Sequence, residues 1–171
     1  VEEAQKQFDV NLFGAMRLVR AVLPILRQQR SGRILFTSSV AADLSIPYQS
    51  FYSASKSALN AMALALANEV RTFGIRVSVL MPGDVATGFT DAREKSIKGV
   101  EVYLGAQSAV EAMERDERAC MTPMQMARCL HRMATTKCPK PIYIGGFVYR
   151  IFCLLIRLLP KRLVNWIVGK L

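Results

Sequence analysis

Three short apolar runs set the terms for this chain. Residues 33–39, 75–81 and 141–144 are each short and bounded by turn-forming Gly or Pro, so each reads as a buried strand. Helical rhythm precedes the first run and fills the intervals. Residues 9–30 carry apolar positions near an i, i+3, i+4 spacing and stop at Ser31-Gly32. Residues 53–73 are alanine-rich, free of Gly and Pro, and closed by Gly74. Residues 88–118 are polar and charged and read as a mobile helical segment. Residues 121–134 form another helix, opening on Thr122-Pro123. Alternating helices and buried strands predict an α/β fold with a parallel sheet. Three strands make little sheet for that architecture, whose two faces must both be covered. The helix at 9–30 also has no strand ahead of it. The pattern therefore predicts the C-terminal half of a larger doubly wound domain over residues 1–146, followed by a helical extension over 147–171.

Charge sharpens the division. The chain has 171 residues and a net charge of +10, with 51% hydrophobic residues, which excludes a disordered chain. Seven of those charges sit in residues 137–171, on Lys137, Lys140, Arg150, Arg157, Lys161, Arg162 and Lys170, with no acidic residue among them. A basic tail that is also strongly apolar argues against nucleic acid, and for a lipid surface or a buried cap. Cys120, Cys129, Cys138 and Cys153 form no C-x-x-C pair, and His131 is the single histidine, so no metal site is expected. Reduced thiols and the lack of a leader after Val1 predict a cytoplasmic protein. The longest apolar run of the tail, 151–156, is too short to span a bilayer.

The chemistry gathers around Tyr52 and Lys56. They stand four residues apart at a helix start, which puts both on one side. An ammonium near a phenol favours the phenolate and would make Tyr52 a general acid/base. Taken alone, the pair equally describes a helix start with a snorkelling lysine. Ser39 ends the first strand thirteen residues earlier, and Pro82-Gly83 ends the next, with Thr87 beyond. Sites in open α/β sheets lie at such carboxyl ends. Asn11, inside an apolar helix, needs a partner for its amide.

Four stretches, in this order and spacing, resemble the classical short-chain dehydrogenase/reductase family: Val10-Asn11-Leu-Phe-Gly14, Gly32-Arg-Ile-Leu-Phe-Thr-Ser38-Ser39, Tyr52-Ser-Ala-Ser-Lys56 and Pro82-Gly83-Asp-Val-Ala-Thr87. The resemblance implies a Rossmann-like fold and hydride exchange with NAD or NADP. It makes Tyr52 the proton donor or acceptor, and Lys56 the group that lowers its pKa and binds the nicotinamide ribose. It makes Ser39 the residue that polarises the substrate carbonyl, and Asn11 the holder of a water in a relay from Lys56. Tyr52 also counts among the cofactor-binding residues with Lys56, and Pro82, Gly83, Val85 and Thr87 would line the cofactor. Ser38, alternating with Ser39 along the strand, should face the other way. The family's glycine-rich pyrophosphate turn, its Asn-Ala-Gly segment and its NAD-or-NADP selector have no counterpart here, which implies that about 90–100 residues of an ordinary domain lie elsewhere. Such a piece alone is expected to be inactive. Members commonly form homo-oligomers, for which the helix at 53–73 offers one surface and core packing an equal explanation.

On the substrate side, Phe89, Tyr103 and Leu104 fall in the family's variable lid; substrate contact and ordinary packing explain them equally. Tyr48 is placed to face the pocket or to sit partly exposed in its loop. The stretch from Arg157 to Trp166 resembles tails of the 17β-hydroxysteroid-dehydrogenase-like subgroup, which acts on steroids, retinoids and other lipophilic alcohols or ketones. Ile151, Leu154, Leu155, Leu158 and Leu159 form an apolar face, Pro160 breaks it, and Leu163, Val164, Trp166, Ile167 and Leu171 continue in a second helix. This pair reads either as a cap over the substrate cleft or a dimer contact, or as an interfacial helix pair on a membrane. Two other functions stay open: reduction of acyl-carrier 3-oxo thioesters, and a non-catalytic binding role on the same fold.

Overall fold

The computed structural model describes residues 1–88, 91, 102–103 and 105–170, the side chains of 116–119 excepted. Strand β1 (Gly32–Thr37), β2 (Ile75–Met81) and β3 (Ile142–Ile144) form one parallel sheet in the order β1-β2-β3. Phe36 lies opposite Val79, and Met81 opposite Ile144. As the middle strand, β2 is covered on both faces: every residue but Arg76 is buried. Continuous Ile, Val, Leu and Met suit such a strand. Its one buried hydroxyl, Ser78, donates to the Lys140 carbonyl at 2.8 Å, which satisfies it. Outward from β1 no further strand pairs among the described residues.

The first helix begins earlier than its apolar rhythm predicts and is not uniform. Helix α1 (Glu2–Phe8) and α2 (Gly14–Gln29) are joined by a π-helical turn at Asp9–Phe13. Arg30 then turns left-handed, and a Cβ on Gly74 would meet its carbonyl oxygen at 2.3 Å. Gly74 itself has φ +72°, so both conformation and space demand glycine there.

Helix α3 (Ser50–Glu69) starts three residues before the expected point. That places Tyr52 in its first turn and Lys56 in its second. Ser55, Leu59, Ala63 and Leu66 recur along its buried side. A short 3-10 turn, Arg71–Phe73, follows it before Gly74.

Helix α4 (Ala106–Ala119) lies in the later part of the charged segment. Helix α5 (Pro123–Thr135) starts on a capping box: the Gln125 amide N–H donates to Thr122 Oγ1, and the Thr122 N–H donates to Gln125 Oε1 at 2.8 Å. After β3 come α6 (Phe147–Leu158) and α7 (Lys161–Val168), divided by Pro160 as its missing N–H requires.

The inward face of α6 differs from the expected one. Cys153 and Ile156 are buried in the core, while Ile151, Leu154, Leu155 and Leu158 are exposed. Of the expected row only Leu159 packs inward. In α7, Val164 and Val168 are buried, Leu163 and Trp166 exposed; Leu171 lies outside the described residues.

Candidate active site

The carboxyl ends of β1 and β2 open into a cleft of about 780 Å³. Ser39, Tyr52, Lys56, Pro82, Gly83, Val85 and Thr87 all line it, although three separate segments supply them.

Ser39 leaves β1 in an extended conformation and caps the 3-10 turn Val40–Ala42, its Oγ accepting from the Ala41 amide at 3.1 Å. Its hydroxyl hydrogen can still be donated to a ligand oxygen. Ser38 is buried, and its hydroxyl donates to the Lys56 carbonyl at 3.3 Å, a structural tie between β1 and α3.

Lys56 Nζ lies 5.7 Å from the centre of the Tyr52 ring and donates to the Thr37 carbonyl at 3.2 Å. Burial holds its ammonium below the ordinary lysine range. A desolvated cation beside a phenol is the arrangement that stabilises phenolate.

Asn11 does not reach into the cleft. The π turn carries its amide to Ser55 Oγ, to which it donates at 3.0 Å; Ser55 Oγ in turn donates to the Tyr52 carbonyl at 2.8 Å. Ser55 directly precedes Lys56 and is fully buried. Asn11 thus ties the turn of α3 that presents Tyr52 and Lys56 to α1 and α2. Such π turns often mark functional positions.

The turn after β2 is held from three sides. The Val40 amide donates to the Pro82 carbonyl at 2.9 Å, and the Ala86 amide to the Met121 carbonyl at 2.9 Å. From α6, the Tyr149 hydroxyl donates to the Asp84 carboxylate. The Tyr149 ring lies so close to Gly83 that a Cβ there would come within 2.2 Å of it. Burial, reinforced by the Asp84 carboxylate, pushes the Tyr149 phenol above its usual range.

The rest of the cleft is apolar. Leu44 and Ile46 follow β1, Met113 comes from α4, Met126 and Leu130 from α5, and Phe152 from α6. Tyr48, at φ +61°, lines the cleft while remaining half exposed, its ring edge-on to Tyr103 with centroids 6.5 Å apart. Phe89 and Leu104 lie outside the described residues. Tyr149, Phe152 and Val168 are tail residues of this wall that the sequence reading did not single out. Tyr149 and Phe152 stand four residues before Cys153 and Ile156 on α6, and Val168 four after Val164 on α7, a spacing that was the available signal.

The residues present fit the nicotinamide end of a dinucleotide. They offer a half-buried, partly desolvated cation, a phenol and a glycine turn whose close packing leaves no room for a side chain. A parallel α/β sheet with such a group at its strand ends defines a Rossmann-like oxidoreductase site.

Comparison with known proteins makes the class a family. The profile described as short chain dehydrogenase matches residues 1–98, and the chain belongs to that family. It is 34% identical over 169 residues to the 3-ketodihydrosphingosine reductase of Bacteroides thetaiotaomicron, covering 96% of this chain and 63% of that one. It is 30% identical to the 17-beta-hydroxysteroid dehydrogenase type 6 of Rattus norvegicus, covering 96% and 56%. A short-chain dehydrogenase structure from Streptomyces avermitilis superposes with a TM-score of 0.78 at 26% identity, covering 96% and 60%. Another, from Burkholderia phymatum in complex with NAD, gives 0.72 at 25%, covering 86% and 55%. The chain therefore spans 56–63% of the length of these two relatives.

Proposed function

We propose that this chain is the catalytic and substrate-binding half of an NAD(P)-dependent oxidoreductase that interconverts a secondary alcohol and a ketone on a lipophilic substrate. The carrying observation is the contrast inside one cleft: Tyr52, Lys56 and Ser39 at one end, an apolar wall elsewhere. In the reducing direction Ser39 donates a hydrogen bond to the ketone oxygen and polarises it. Tyr52 then donates its proton to that oxygen as negative charge develops there. Lys56 stabilises the phenolate left behind, and Asn11, through Ser55, keeps the first turns of α3 in position. The nicotinamide, when bound, supplies the hydride. Lys56, Pro82, Gly83, Val85 and Thr87 would hold its ring and ribose.

The substrate class follows from the walls and is supported by the relatives, which are named for a sphingoid ketone and a steroid. The same reading makes the protein a homo-oligomer in the cytoplasm, with exposed Leu18, Val22 and Ile25 of α2 as an apolar contact face. It also allows peripheral membrane contact through 147–171. The test is Tyr52→Phe in the full-length protein, assayed against lipophilic ketones. A fall in kcat of about 10²–10⁴-fold is expected from loss of the proton donor. Undiminished turnover would remove Tyr52 from the reaction.

A further inference from the structure

Helices α6 and α7 have two apolar sides, and the fold uses only one. Inward, Tyr149, Phe152 and Val168 wall the cleft, and Cys153, Ile156 and Val164 enter the core. Outward, Phe147, Val148, Ile151, Leu154, Leu155 and Leu158 are exposed, at spacings that keep them on one side of α6. Leu163 and Trp166 are exposed on α7. A continuous apolar row of this kind marks an interaction surface.

Charge and position choose the partner. The tail from 137 onward is basic throughout and holds no acid. Lys161 and Arg162 are exposed at the start of α7, and Lys170 Nζ sits 4.2 Å from the Trp166 ring centre. A second copy meeting this face about a twofold axis would set like charges opposite one another. An anionic bilayer surface would neutralise them, and Trp with flanking cations suits the headgroup level. The remaining strands of a doubly wound sheet add beyond β1, whereas α6 departs from β3 at the opposite edge. No helix among the described residues is long and apolar enough to cross a membrane, so contact would be with the surface.

A second feature connects this face to the site. An apolar crevice of about 90 Å³ lies between α6 and α7. Phe152 and Val168 line both this crevice and the cleft, while Leu155 lines the crevice and belongs to the exposed row. We propose that the α6–α7 pair docks on an anionic membrane surface, and that the crevice admits the lipophilic substrate from the bilayer toward Tyr52. The entry route rests on the oxidoreductase reading above; the docking does not.

The experiment uses the full-length protein with vesicles of phosphatidylcholine alone and of equimolar phosphatidylcholine and phosphatidylserine. Sedimentation should show at least tenfold tighter binding to the second, weakening with salt. Lys161→Glu with Arg162→Glu should cut that binding by about 25-fold or more, about fivefold per lost cation, without changing turnover of a short water-soluble ketone. Leu155→Trp, which fills the crevice mouth, should slow reduction of a bilayer-dissolved ketone about tenfold and spare the soluble one. Equal binding to both vesicles, or self-association abolished by Leu154→Ser with no vesicle binding, overturns the docking. A Leu155→Trp effect that is equal on both ketones, or absent on both, overturns the entry route. Failure of the parent protein to reduce either ketone removes the oxidoreductase reading and the entry route together, and the vesicle data still decide the docking.

Discussion

The two sides of the cleft are built on different terms. The polar side rests on β1, β2 and α3, where Leu59, Ala63, Val79 and Met81 are almost wholly buried and the Ser39 and Lys56 side chains are tied to backbone. The apolar side rests on α4, α5 and the two tail helices, which leave much of their apolar surface in solvent. In the proposed function, chemistry that requires fixed distances sits on the first, and recognition of a substrate by surface burial, which tolerates adjustment, on the second. The Tyr149–Asp84 hydrogen bond is where they meet, since a tail residue there holds the turn that follows β2.

Mutations should separate the two sides. The largest effect on stability is expected from Leu59→Ala, at about 2–5 kcal/mol for a buried leucine, read by urea denaturation; Leu158→Ser on the exposed row should stay within about 0.5 kcal/mol. A similar loss from both would erase the distinction. Next, Phe152→Ala should raise KM for a lipophilic ketone about 5–30-fold, the worth of roughly 1–2 kcal/mol of lost apolar contact, with kcat nearly unchanged. A fall in kcat alone would move Phe152 to the chemical side.

The smallest shift concerns Lys56, and its sign is informative. Burial lowers its folded-state pKa below 10.5, so the unfolded chain binds the proton more readily. The buried charge therefore costs stability below the folded pKa, and stability rises as pH climbs from that value toward the unfolded one. Lys56→Met should accordingly raise Tm at neutral pH in thermal denaturation, less the loss of the hydrogen bond to the Thr37 carbonyl, while abolishing turnover. In the parent, activity should decline as pH rises through the lowered Lys56 pKa, because the cation that supports the Tyr52 phenolate is lost.

How much of this was legible beforehand depended on the kind of signal. Strand 75–81 was readable to the residue because a central parallel strand is apolar throughout and Gly74 and Pro82 mark its ends. The gathering of Ser39, Tyr52, Lys56 and the 82–87 turn at one cleft was readable because motif order and spacing carry it. The orientation of α6 was not. That helix is apolar nearly all round, so periodicity offers two faces and only packing into the core chooses Cys153 and Ile156. The π turn at Asp9–Phe13 left no mark in the hydrophobic pattern either. It shifts Asn11 toward Ser55, a detail fixed by tertiary contact.

If Tyr52 and Lys56 meet their substrate in an apolar cleft walled by the tail, kcat/KM of the full-length protein will follow the chain length of its ketone, read by nicotinamide absorbance. A rise of about fourfold per added methylene is expected, from ~0.8 kcal/mol each, until the cleft is filled, with a shallower slope in Phe152→Ala. A flat series, or a preference for small polar ketones, would contradict it.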